Sequence, residues 1–147
     1  MYKLPEKIES LVPYEPGSGE YRIRLDANES FMAPDFSLYA DALRSVAVNR
    51  YPDSTAKRLC ESFAGFYGID PRFVTASNGS DEMLFILANC FLNRGDRVLT
   101  LAPDFSMYDF YTSLAECSVY SMPKNEDMSI DADAVIKELL SADYRML

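Results

Sequence analysis

Between residues 55 and 67 the apolar side chains Leu59, Cys60, Phe63, Phe66 and Tyr67 recur at intervals of three and four, the repeat of one helix stripe. Asp53 or Ser54 suits the cap of that helix, and Gly68 suits the left-handed position after its last turn. A second helix is predicted over residues 36–48, introduced by Pro34-Asp35, with Tyr39, Leu43, Val46 and Ala47 on one stripe facing a core. Arg50-Tyr51-Pro52-Asp53 separates the two, because Pro52 holds Tyr51 extended. Beyond Gly68, short β-branched or aromatic runs alternate with helical ones. Residues 73–76, 97–101 and 118–122 read as strands, and residues 81–92, 105–115 and 131–140 as helices, the first of them buried. This β-α-β-α-β alternation predicts an α/β fold with a parallel sheet between helices. Its crossovers are right-handed, and its ligand sites lie at the carboxyl ends of the strands.

The amino-terminal stretch reads differently. Residues 1–22 hold one short helical run, 6–11, among the breakers Pro13, Pro16, Gly17 and Gly19, and so predict an arm of the kind that often reaches another subunit. Residues 23–25 alternate as a strand would. The expected division is residues 1–34 for the arm and first strand, and 35–147 for the sheet domain. Tyr144-Arg145-Met146-Leu147 reads as the opening of a further strand, so the sheet domain is expected to be incomplete within this chain.

Composition narrows the partners more than the fold. Hydrophobic residues make up 48% of the chain and aromatic ones 13%, enough for a real core. The net charge of -9 repels phosphate backbones and anionic lipid, which argues against nucleic-acid and membrane-surface partners. No run at the start resembles a secretory signal, and the longest apolar stretch, residues 83–88, is too short to span a bilayer, so a cytoplasmic location is expected. Cys60, Cys90 and Cys117 form no paired metal-ligand spacing and read as buried thiols of a reducing compartment. With no histidine, histidine triads and histidine metal sites are excluded within the chain, and no metal is expected.

The candidate chemistry gathers at the turn Ser77-Asn78-Gly79-Ser80-Asp81-Glu82, between a predicted strand and a predicted helix. Gly79 permits close backbone approach and the Ser80 hydroxyl is placed to cap the first turn, while free amides and the helix dipole suit an anion. The competing reading is an ordinary helix start in which Asp81 and Glu82 complement the dipole without a ligand. At the next strand-to-helix turn Tyr108 is either a stacking residue or part of an aromatic core with Phe105, Phe110 and Tyr111. Tyr51 and Tyr14 read locally as a packed turn residue and a surface tyrosine.

Taken together, Leu11-Val12-Pro13-Tyr14, Leu25-Asp26-Ala27-Asn28-Glu29, Asn49-Arg50-Tyr51-Pro52-Asp53, Asn78-Gly79-Ser80-Asp81-Glu82, Arg94-Gly95-Asp96 and Pro103-Asp104-Phe105-Ser106-Met107-Tyr108 resemble, in that order, the histidinol-phosphate aminotransferase family. The resemblance implies the three-layer, parallel-sheet large domain of a fold type I enzyme that uses pyridoxal phosphate. It implies phosphate binding by the amides of Ser80 and Asp81, with Gly79 allowing the approach and the acids pointing elsewhere. Tyr108 would stack on the pyridine ring, and Tyr51 would reach the phosphate of the neighbouring subunit in a homodimer. Tyr14, Asn28 and Glu29 would lie near the substrate. The implied reaction moves an amino group between histidinol phosphate, or a related amine, and a 2-oxo acid. A threonine-phosphate decarboxylase shares these early motifs, and a non-catalytic α/β module that binds a phosphorylated ligand is the alternative from another class. The family also needs a Schiff-base lysine. Lys3, Lys7, Lys57, Lys124 and Lys137 all read as solvated surface lysines, so that residue is expected after Leu147 and the chain alone is expected to be inactive.

Overall fold

The computed structural model describes residues 3–9, 11, 19–25 and 28–147. In chain order the elements are α1 (Glu6–Glu9), α2 (Ala40–Ser45), α3 (Lys57–Tyr67), α4 (Gly79–Phe91), β1 (Arg97–Ala102), α5 (Met107–Leu114), β2 (Ser118–Pro123), α6 (Ala132–Ser141) and β3 (Tyr144–Met146). They fall into two compact units, one of Met1–Val12 with Ala76–Leu147 and one of Pro13–Thr75.

The unit that contains Ala76–Leu147 is a parallel sheet in the order β2-β1-β3, with a helix in each crossover. β1 pairs with β2 from Arg97↔Ser118 through Ala102↔Pro123, and with β3 at Arg97↔Tyr144 and Val98↔Met146. The central strand is the most buried, because it has a neighbour on each edge and helix above it. Its Leu99 is 1% exposed, and Val98 joins Ala88 and Leu92 of the α4 segment in a core flanked by Tyr111, Ala115, Cys117 and Met146. Two turns set the register. Gly95, at φ 88°, directs its amide to the carbonyl of Glu116 at 2.9 Å, and the Ser118 amide reaches the carbonyl of Asp96 at 2.8 Å. At the amino ends of β1 and β3, an Arg97 N–H donates to the Tyr144 hydroxyl at 3.1 Å while the guanidinium carbon lies 4.7 Å from the ring centre. That hydroxyl in turn donates to Oε1 of Glu138. Burial, and then the bond to Glu138, raises the Tyr144 pKa above the usual phenol value.

The α/β alternation is as the pattern predicts, and the departures are local. Residues 73–76 form no strand. The Asp70 carboxylate accepts the Arg72 amide at 2.9 Å and starts a single 3₁₀ turn, Pro71–Phe73, after which Val74 is extended but residues 74–76 join no strand ladder. Residues 23–25 are likewise irregular, and a strand without a neighbour cannot hold its backbone groups. The helix expected over 36–48 is a 3₁₀ turn, Phe36–Tyr39, running into α2, which stops at Ser45. α3 ends as predicted with Gly68 at φ 68°, and Asp53 anchors its start by accepting the Lys57 amide at 2.8 Å.

Burial differs more than boundaries do. Tyr39, Leu43 and Val46 are each more than half exposed, and in α3 only Cys60 and Ala64 are buried while Phe66 is 82% exposed. α4 is not a buried helix either. Ala88 alone is buried, Phe85 meets Tyr111 edge to face, Ile86 and Phe91 are exposed, and of the three thiols expected to be buried only Cys60 is, with Cys90 exposed and Cys117 between. Periodicity fixes which side chains share a stripe, but only a covering element buries the stripe.

Candidate phosphate and ring site

The site begins at the amino end of α4. Asn78 precedes the helix without a side-chain cap, and Gly79 enters it at φ 81°, a left-handed value that a side chain disfavours. Nothing lies within 4 Å of where a Cβ on Gly79 would be, so the approach to the helix end is open. The Ser80 hydroxyl makes no cap. The serine that engages the turn is Ser77, whose Oγ donates to the carbonyl of Gly79 at 2.9 Å. Among the described residues neither the Ser80 amide nor the Asp81 amide has an acceptor. Two N–H groups at the positive end of a helix thirteen residues long are therefore available to an anion.

The two acids behave differently. The Asp81 side chain is exposed and makes no hydrogen bond among the described residues. Glu82 folds back so that Oε2 accepts the Asn78 amide, a reach-back of the capping-box type. Its carboxylate thus stays at the helix start rather than pointing elsewhere, using one amide and leaving the next pair free.

Tyr108 stands in the first turn of α5, which packs against α4 in the same unit. Its ring is 37% exposed and meets Phe105 edge to face at 5.9 Å, so it is neither fully buried core nor free surface. It lines a largely apolar cavity of about 310 Å³ with Leu84, Leu87, Leu101, Asp104 and Met107. Gly79, Ser80 and Asp81 are not among the residues that line it. Below Tyr108 the buried Thr112 hydroxyl donates to the Tyr108 carbonyl at 2.7 Å, fixing the turn of helix that bears the ring.

The sequence reading missed Lys124. Its side chain is only 18% exposed, its Nζ donates to the carbonyl of Pro103 at 2.8 Å, and it lies 3.6 Å from Oδ2 of Asp104. It is therefore no solvated surface lysine. The available signal was its position, immediately after β2 at the carboxyl edge of the sheet. The other predicted residues belong to the second unit or lie outside the description. There Tyr51 is 94% exposed, and Asn28, at φ 51°, and Glu29 are exposed. Tyr14 lies outside the described residues. Among the described residues no three His, Cys, Asp or Glu side chains are grouped to hold a metal, and no helix is long and apolar enough to cross a membrane.

A three-stranded parallel sheet with a helix in each crossover defines an α/β protein. The chain belongs to the aminotransferase class I and II family, which it matches over residues 21–147. It is 35% identical over 133 residues to a histidinol-phosphate aminotransferase of Clostridium novyi, covering 88% of this chain and 37% of that one. The structure of the histidinol-phosphate aminotransferase of Sinorhizobium meliloti, in complex with pyridoxal 5′-phosphate, superposes with a TM-score of 0.78 at 18% identity, over 96% of this chain and 40% of that one. At that identity the likeness speaks for the fold, which is that of fold type I enzymes. L-threonine-O-3-phosphate decarboxylase of Porphyromonas gingivalis superposes with a TM-score of 0.54 at 26% identity, over 64% of this chain and 29% of that one. The chain thus spans less than half the length of each relative it matches here.

Proposed function

We propose that this chain forms the phosphate-binding and ring-binding part of a pyridoxal-phosphate enzyme that transfers an amino group between histidinol phosphate, or a related amine, and a 2-oxo acid. The observation that carries the reading is the pair of unengaged amides, Ser80 and Asp81, behind a glycine with open space around it. Those donors fit a phosphate, since they supply hydrogen bonds and the helix dipole without needing a cationic side chain. Tyr108 offers its ring from the neighbouring turn, where it would hold the pyridine plane so that the bond broken at the substrate α-carbon aligns with the π-system. When bound, the cofactor supplies an electron sink for the carbanion formed at that carbon. Tyr51 is proposed to reach the phosphate of a second subunit in a homodimer, and its exposed ring is free to do so. Tyr14, Asn28 and Glu29 are proposed to border the substrate.

Proton transfer at the α-carbon calls for a lysine beside the ring. Lys3, Lys7, Lys57 and Lys137 are exposed residues, and Lys124 is tied to the Pro103 carbonyl. We therefore expect the 147-residue polypeptide by itself to bind cofactor phosphate without transaminating. Pyridoxine 5′-phosphate, which has no aldehyde to react with a lysine, should quench tyrosine fluorescence at lower concentrations than pyridoxine. Equal affinity for the two would overturn the phosphate site, and amino transfer from glutamate by this polypeptide would overturn the lysine argument. The resemblance to threonine-phosphate decarboxylase supports a second reading. Release of carbon dioxide from threonine phosphate by the protein that carries this chain would favour it.

A further inference from the structure

The turn that delivers Tyr108, residues 103–106, has little regular structure of its own, yet one side chain from another strand grips it. β1 and β2 end opposite each other at Ala102↔Pro123, and the Lys124 amide continues the ladder by reaching the Ala102 carbonyl at 2.7 Å. From that fixed backbone the Lys124 side chain crosses to the turn. It bonds the Pro103 carbonyl at 2.8 Å and approaches Asp104 Oδ2 at 3.6 Å, while Asp104 Oδ1 accepts the Phe105 amide at 2.9 Å. The Phe105 carbonyl then accepts the Tyr108 amide at 3.1 Å, and the two rings meet edge to face. A path of contacts, hydrogen bonds except for the ion pair from Lys124 to Asp104, runs from the end of β2 to Tyr108. With its side chain 18% exposed, the ammonium is better shielded from solvent and salt than those of surface pairs.

We propose that Lys124 is a positioning residue, holding the Pro103-Asp104 turn so that the Tyr108 ring is fixed in place to stack on a planar ring ligand. The proposal rests on the cofactor reading above. It acts through Tyr108 and leaves the α4 amides untouched, so it separates ring recognition from phosphate recognition.

The test uses the 147-residue chain with Lys124→Gln, Lys124→Arg and Tyr108→Ala. Hydrogen exchange of the residue 104–108 amides should accelerate about tenfold in Lys124→Gln, the change expected for loss of one charge-assisted hydrogen bond, while α4 exchange stays unchanged. Unchanged exchange at 104–108 would overturn the clamp whether or not the cofactor reading holds. The affinity for pyridoxine 5′-phosphate should fall severalfold in Lys124→Gln, recover in Lys124→Arg, and not fall further when Lys124→Gln is added to Tyr108→Ala. Affinity for inorganic phosphate should be equal in all variants. Parallel loss of phosphate would show general unfolding and overturn the positioning role. Accelerated exchange combined with no pyridoxine 5′-phosphate binding by the unsubstituted chain would overturn the cofactor reading and the stacking role with it, leaving Lys124 a structural brace.

Discussion

Gly65 and Gly79 invite the same substitution and should answer it with opposite signs. Neither has an atom within 4 Å of the position a new Cβ would take, so packing is removed from the comparison. Gly65 lies inside α3 with no left-handed φ, whereas Gly79 opens α4 at φ 81°. Replacing Gly65 by alanine restricts the unfolded chain without straining the folded one and should stabilise by about 0.5–1 kcal/mol. At Gly79 a Cβ must tolerate the left-handed region, at a cost of about 1–2 kcal/mol. The chain can relieve that strain only by rotating the turn, which re-aims the Ser80 and Asp81 amides. Urea unfolding followed by circular dichroism should therefore show a higher midpoint for Gly65→Ala and a lower one for Gly79→Ala, with unchanged slopes. Inorganic phosphate should protect Gly65→Ala as it protects the unsubstituted chain, and Gly79→Ala less. A Gly79→Ala protein as stable and as phosphate-responsive as the original would refute both the conformational argument and the role of that backbone.

Glu82→Gln should keep an acceptor for the Asn78 amide while removing a charge from the helix start, raising phosphate affinity by about threefold in low salt and less in high salt, measured by titration calorimetry. Thr112→Val keeps the shape of a buried side chain but loses the hydroxyl bond to the Tyr108 carbonyl, and should lower stability by about 0.5–1.5 kcal/mol in denaturant unfolding. The Tyr144 pKa is raised in the fold, so its contribution is complete below the unfolded phenol value and is lost as pH rises through the folded value. Thermal stability should accordingly fall in the alkaline range above the usual phenol value, and Tyr144→Phe should remove that part of the dependence.

Local rules made several features readable. Asp53 and Gly68 bracket α3 because capping and left-handed closure are decided within a few residues, and the alternation after residue 76 announced a parallel sheet because crossovers between parallel strands need helices. The same rules misjudged residues 73–76, whose β-branched and aromatic character favours extended backbone but brings no partner strand. They also misjudged Lys124, since an amphipathic side chain is solvated or buried according to what lies across the gap.

The sequence alone carried the α/β alternation after residue 76, the left-handed Gly68 that closes α3 and the glycine that opens α4, all of which depend on near neighbours in the chain. Its ordered motifs also carried the family. Long-range packing settled which stripes are covered, and that Lys124 reaches Pro103 from the adjacent strand. Those outcomes depend on groups far apart in sequence brought together at distances near 3 Å, and the spacing of residues along the chain does not encode that.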